Sequence, residues 1–289
     1  MTLTDINEIR LLLDRHGFRF SKSMGQNFLV ADWVPQRIAD SAGLDKSTGV
    51  LEVGPGIGCL TAQLSKLAGK VVSVELDKSL RPVLAETLEG RDNVELVFAD
   101  ALKTDLTALA AEKLAGLRPV VCANLPYNVS SPLITAFLKA GCFETVTVMV
   151  QREMARRICA AAGTEDYGAF GVFVQWHAEP ELLFEVPPDC FVPRPKVTSA
   201  VVRLKRRETP PAEVTDEALF FRVVRAAFNM RRKTLVNALS AGLGNLTKEQ
   251  AEKAVINGGF DPKIRGETLE IGGFAKITDE IHKIWAADL

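Results

Sequence analysis

From residue 49 onward the chain alternates short β-branched runs with stretches of helical periodicity. The runs at 50–53, 70–75, 94–98, 120–123 and 145–150 predict strands, and 58–68, 78–89, 105–115, 131–139 and 151–160 predict the helices that follow them. Strands that read as continuous apolar runs are covered on both faces, so the pattern predicts an α/β fold with a mainly parallel sheet. Ahead of it, Ile6, Ile9, Leu12 and Leu13 stand at helical spacing and predict a short helix over 4–16, with Thr4 as its cap. A polar, basic turn over 19–26 follows. After about residue 165 the rhythm breaks. Stretches 179–186 and 197–205 read as strands flanking a Pro-rich loop, 187–195, and His177 reads as a strand histidine. A charged, Pro-terminated hinge at 206–211 marks the expected boundary between a domain of residues 1–207 and one of 208–289. Helical runs at 216–229, 231–241, 248–257 and 274–286 make the second a small all-helical domain.

Composition narrows the classes. The 289 residues carry 35 Lys and Arg against 36 Asp and Glu, a net charge of −1, and 47% are hydrophobic. This is globular composition and excludes disorder and low complexity. Near-neutrality argues against indiscriminate polyanion binding. Five widely spaced cysteines (Cys59, Cys122, Cys142, Cys159 and Cys190) without a CxxC pair argue against a zinc site or a disulfide framework. The expectation is a cytoplasmic protein with no membrane partner and no metal. None of the three histidines falls in a catalytic pattern, so chemistry resting on a His base is not expected.

Candidate chemistry begins at Glu52-Val53-Gly54-Pro55-Gly56-Ile57-Gly58, which follows a strand and opens a helix. Glycines there let the backbone turn tightly and approach a ligand closely. The third glycine of a dinucleotide fingerprint is replaced by Cys59, so the turn alone is equally a plain strand-to-helix connection. The next strand ends at Glu75, 21 residues beyond Gly54, where an acid can accept from both hydroxyls of a ribose. The third ends at Asp100, which can accept from an exocyclic adenine amine. Singly these are solvated strand-end acids; together they describe a nucleoside pocket. With no phosphate-binding lysine beside it, S-adenosylmethionine fits better than NAD or ATP.

The fourth strand leads into Asn124-Leu125-Pro126-Tyr127. As bare structure this is an Asn-Pro turn with a tyrosine beneath it. As chemistry, it offers the Asn124 side-chain oxygen and the Leu125 carbonyl as acceptors for the hydrogens of an exocyclic amine. Such acceptors align a poorly nucleophilic nitrogen with an already activated methyl. Pro126 stiffens the turn, and Tyr127 can stack on a base taken out of its helix.

At these residues the chain resembles the ribosomal RNA adenine dimethyltransferases, in the KsgA/RsmA branch that acts on small-subunit RNA. The matching segments are 25–29 (GQNFL), 51–61, 74–77, 100–102, 124–131, 190–204 (CFVPRPKVTSAVVRL) and 228–235 (FNMRRKTL). The resemblance implies a Rossmann-like class I S-adenosylmethionine-dependent methyltransferase sheet with a C-terminal helical domain that docks on RNA. It implies transfer of methyl groups to N6 of two adjacent adenosines in a hairpin loop near the 3′ end of 16S rRNA. The implied substrate is an immature 30S subunit, and the implied enzyme a monomer. It assigns Asn27 and Leu29 to the cofactor, Gly54 to its methionine part, Glu75 to the ribose, Asp100 and Leu102 to the adenine, and Asn124 to the methyl. Gln26, Gly56, Leu76 and Ala101 adjoin them in the same motifs. Phe191 is implied to face Tyr127 across the flipped adenine, although by itself it reads as a core residue before a turn. One departure from the family pattern is Glu270, where serine is common.

Charge then segregates. Residues 1–184 carry a net −4 and 185–289 a net +3, and 190–235 alone carry +7. Arg194, Lys196, Arg203, Arg222, Arg225, Arg231, Arg232 and Lys233 are the expected RNA-binding residues, through sequence-neutral phosphate contacts. Two other readings stand beside the first. One is a macrolide-resistance type methyltransferase of 23S rRNA, whose relatives are more basic. The other is a non-catalytic ribosome-assembly factor on the same scaffold.

Overall fold

The structure is a computed structural model and describes residues 2–18 and 27–287. The chain divides into two compact units, Met1–Ala155 with Glu179–Arg206, and Arg156–Ala178 with Arg207–Leu289. One break between the units falls between Arg206 and Arg207. Residues 156–178, assigned to the first domain on sequence, instead belong to the helical unit, because their apolar side chains pack into its core.

The first unit opens with α1 (Ile6–Arg15), whose N-terminus is capped not by Thr4 but by Asp5, which accepts from the Asn7 and Glu8 amides. β1 (Phe28–Leu29) and α2 (Trp33–Ser41) follow. Pro35 sits in the first turn of α2, where a missing N–H costs nothing. The alternating body then runs β2 (Thr48–Val53), α3 (Cys59–Leu67), β3 (Lys70–Glu75), α4 (Arg81–Thr87), β4 (Val94–Phe98), α5 (Leu106–Lys113), β5 (Arg118–Asn124), α6 (Ser130–Ala140) and β6 (Thr145–Gln151). α7 (Arg152–Cys159) and α8 (Ala169–His177) precede β7 (Ala178–Val186), β8 (Phe191–Val192) and β9 (Ser199–Arg206).

Seven strands form one sheet in the order β4-β3-β2-β5-β6-β9-β7. β4, β3, β2, β5 and β6 are parallel, and β9 runs antiparallel to β6. Every residue of β2 is buried, as a strand covered on both faces requires. On one side Leu60 and Leu64 of α3 and Val34 and Ile38 of α2 pack with Val50, Val120 and Met149. A second cluster joins Ile9, Leu12 and Leu13 of α1 to Leu80, Val83 and Leu84 around α4.

The second unit contains α9 (Glu217–Asn229), α10 (Leu235–Gly242), α11 (Lys248–Asn257) and α12 (Ile271–Ala287). Its core gathers Trp176, Phe220, Leu239, Val255 and Phe274. Thr247 and Gln250 close a reciprocal capping box at the start of α11. His177 is the last residue of α8 rather than a strand residue. The helix read from 231 starts at Leu235, which leaves Arg231, Arg232 and Lys233 in the preceding turn. Among the described residues no helix is long and apolar enough to cross a membrane.

Candidate active site

From β2 the chain turns outward to β3 and β4, then returns to β5 on the other side of β2. Ligands of open α/β sheets bind where the strand order reverses, beyond the carboxyl ends of the two strands that part there. The turns after β2 and β5 therefore meet. A Cβ built on Gly54 would lie 3.7 Å from Pro126 Cδ and 4.0 Å from the Asn124 carbonyl. Gly54 and Gly56 have φ of +73° and +59°, which L side chains rarely adopt, and a Cβ on Gly56 would meet the Phe28 ring at 3.1 Å. Glycine lets this turn pass beneath a ring supplied by β1.

A single cleft in the first unit gathers Asn27, Leu29, Gly54, Gly56, Glu75, Leu76, Asp100, Ala101, Leu102, Asn124, Leu125, Pro126, Tyr127 and Phe191. Gln26 lies outside the described residues. The Glu75 carboxylate is held from both sides, accepting from the Asp77 amide at 2.8 Å and the Gly56 amide at 3.4 Å. Burial pushes its pKa up, against the pull of those two amides. Asp100 accepts from the Leu102 amide at 3.0 Å, a local turn that sets its carboxylate at the rim. Leu76 and Leu102 flank these acids and are 58% and 43% exposed, an unusual cost for leucine unless a flat apolar group lies between them.

Glu52 was not singled out on sequence. It is 1% exposed, lines the cleft, and its Oε2 accepts from Thr61 Oγ1 at 2.7 Å and Ser73 Oγ at 2.6 Å. Its Oε1 has no partner among the described residues. Burial, against those two hydrogen bonds, raises its pKa to about 7. The signal that could have found it is an acid in an otherwise apolar strand, two residues before the first glycine. Cys59 opens α3 and donates to the Leu3 carbonyl at 2.7 Å; burial pushes its thiol up to about 12, so it is inert.

On the opposite wall, β5 ends at Asn124, whose side-chain amide makes no hydrogen bond among the described residues. The Leu125 amide donates to the Met149 carbonyl at 3.2 Å, which fixes the turn, and the Leu125 carbonyl accepts no hydrogen bond among the described residues. Tyr127 is half-buried, and its hydroxyl meets that of Ser199 at 2.5 Å. Phe191 is 2% exposed and pairs with Leu29 in the two-stranded β1–β8 ladder. Phe191 and Tyr127 both line the cleft.

The basic residues have unlike surroundings. Arg194, Lys196, Arg222, Arg225, Arg232 and Lys233 are exposed. Arg203 is paired with Glu181 at 2.6 Å and donates to the Ser41 carbonyl. Arg231 is tied within the helical unit, to Glu267 at 2.9 Å and to the carbonyls of Thr164 and Glu165 at 3.2 and 2.6 Å.

Comparison with known proteins agrees with this geometry. The family model for ribosomal RNA adenine dimethylase matches residues 17–283. The ribosomal RNA small subunit methyltransferase A of Geobacillus thermodenitrificans (strain NG80-2) is 46% identical over 274 residues, 93% of this chain and 94% of the relative. That of Clostridium perfringens (strain SM101 / Type A) is 45% identical over 285 residues, covering 96% of this chain and 98% of the relative. Among solved structures, a dimethyladenosine transferase from Plasmodium falciparum superposes with a TM-score of 0.74 at 26% identity, over 88% of this chain and 97% of that one. The 23S rRNA methyltransferase ErmE superposes at 0.65 with 28% identity, over 88% and 99%. By the extent of these matches, the chain belongs to the ribosomal RNA adenine dimethylase family.

Proposed function

We propose that the protein uses S-adenosylmethionine to dimethylate N6 of two adjacent adenosines in a hairpin loop near the 3′ end of 16S rRNA, within an immature small subunit. The observation that carries the cofactor reading is the charge of the cleft wall. Glu52, Glu75 and Asp100 line it, and no lysine or arginine does among the described residues. Such a wall repels a polyphosphate and suits a cationic nucleoside. Glu75 would hold the ribose hydroxyls, Asp100 with Leu76 and Leu102 the adenine, and the free oxygen of Glu52 the ammonium of the methionine part.

The bound cofactor supplies a methyl group activated on a sulfonium. The chain's own residues have to present the amine. Its lone pair is delocalised into the adenine ring, so the reaction gains from acceptors that draw the two N–H groups aside and favour a tetrahedral nitrogen. The unengaged oxygens of Asn124 and Leu125 are such a pair, fixed by the Leu125 hydrogen bond to Met149 and by Pro126. Tyr127 and Phe191 supply aromatic surface for the extruded base. Exposed Arg232, Lys233, Arg222 and Arg225 in the helical unit, and Arg194 and Lys196 in the first, supply phosphate contacts.

The test is transfer of label from S-adenosylmethionine to undermethylated 30S particles, 50S particles or naked 16S RNA. Label in the 30S particle supports the proposal. Label confined to 23S RNA would assign the chain the activity named for ErmE, and no transfer to any substrate would favour a non-catalytic assembly role.

A further inference from the structure

Tyr127 and Ser199 are 72 residues apart and belong to elements separated by β6, yet their hydroxyls lie 2.5 Å apart. The sheet topology explains the meeting. The parallel strands all end at the cleft, but β9 runs the other way, so its first residue, Ser199, is the one at the cleft edge, in register with Gln151 at the end of β6. The Arg152 amide donates to the Thr198 carbonyl at 2.9 Å and fixes the backbone there. Ser199 is fully buried and cannot itself reach a substrate.

We propose that Ser199 is a positioning residue for the target base: it holds the Tyr127 ring at the angle on which the adenine stacks. The proposal rests on the reading of Tyr127 as a base platform. Stacking uses the π-face of the ring and does not need the phenol oxygen, which leaves that oxygen free to serve as the ring's anchor. Burial keeps the phenol above its ordinary range, so it remains neutral and retains a proton for the hydrogen bond. Tyr127 begins a single 3-10 turn, Tyr127–Val129, and a ring on so short a support gains most from a tether on an adjacent rigid strand.

The chain contains two tyrosines, Tyr127 and Tyr167, which makes the tether directly visible. Protein labelled with 3-fluorotyrosine should give two fluorine resonances, assigned by Tyr127→Phe. Ser199→Ala should move the Tyr127 resonance and leave that of Tyr167 in place; an unmoved Tyr127 resonance would overturn the proposal. In methyl transfer to the small subunit, Ser199→Ala and Tyr127→Phe should each lower kcat roughly threefold to tenfold, the size of one neutral hydrogen bond. The double variant should be no slower than either single one, with cofactor Kd unchanged within twofold. Additive losses, or a loss that appears in cofactor Kd instead of kcat, would also overturn it. The fluorine measurement needs no RNA, so it decides the tether even if no RNA is methylated.

Discussion

Leu29 and Phe191 are register partners in an antiparallel ladder of only two residues per strand. One short ladder thus joins two residues that line the same cleft, and the Val30 amide extends it to the Cys190 carbonyl at 2.8 Å. Phe191 is therefore both a core residue and part of the cleft wall. Phe191→Leu retains apolar burial and removes the aromatic face. Methyl transfer should fall by roughly tenfold or more, the value of one base–aromatic stack of about 1–3 kcal/mol, while the melting temperature moves by only a few degrees. Equal transfer by both proteins in single-turnover assays would remove Phe191 from the base platform.

Asn124 is expected to act on the rate and not on cofactor retention. Asn124→Ala should lower kcat by about a hundredfold or more, comparable to losing one preorganised hydrogen-bond partner of a transition state. Calorimetric cofactor Kd should stay within about threefold. A matching loss of cofactor affinity would make Asn124 chiefly a binding residue.

Glu52 should be visible in the pH dependence of stability. Its folded pKa, about 7, is raised above an ordinary value of 4.5. Between these values the unfolded chain has already released a proton that the folded chain keeps. Its contribution is fully present below about pH 4.5 and is lost as pH rises towards and through 7. In cofactor-free protein, the melting temperature of wild type minus that of Glu52→Gln should therefore decline from pH 5 to 7.5 and level off above. A domain of this size shifts by about 2–4 °C per kcal/mol. A difference that is flat with pH would mean that Glu52 does not titrate in this window.

The basic residues should separate into two kinds. Arg232 and Lys233 are exposed, so replacing both with alanine should weaken small-subunit binding and reduce the salt slope by about 2, one for each phosphate contact. Arg231 is committed to Glu267 and two carbonyls. Arg231→Ala should lower thermal stability, because it removes the hydrogen bonds to Glu267 and to the Thr164 and Glu165 carbonyls. An unchanged slope for the pair, or an unchanged melting temperature for Arg231→Ala, would contradict the assignment concerned.

The alternating half was legible because its strands are short, buried and β-branched and its helices carry clear periodicity; β3, β4 and α11 begin and end where the pattern put them. Glu75, Asp100 and Asn124 were legible as candidates for the same reason, since each stands at the end of a parallel strand or, for Asp100, two residues past it. What was missed has physical causes. α8 is apolar except at Gln175 and His177 and offers little period to read, and α2 carries Pro35 in its first turn. β8 is two residues long and forms only because Leu29 and Phe28 are brought to it from far along the chain. Glu52 escaped notice because strand pattern marks it as one polar residue among apolar ones, and its partners Thr61 and Ser73 come from α3 and β3. Local sequence does not announce such tertiary pairings.

The most direct test of the account is mass spectrometry of 16S RNA from undermethylated small subunits incubated with the protein and S-adenosylmethionine. The expected result is N6,N6-dimethyladenosine at two adjacent positions in a loop near the 3′ end, appearing with wild type and strongly reduced with Asn124→Ala. Methylation found only in 23S RNA, or none with either protein, would contradict it.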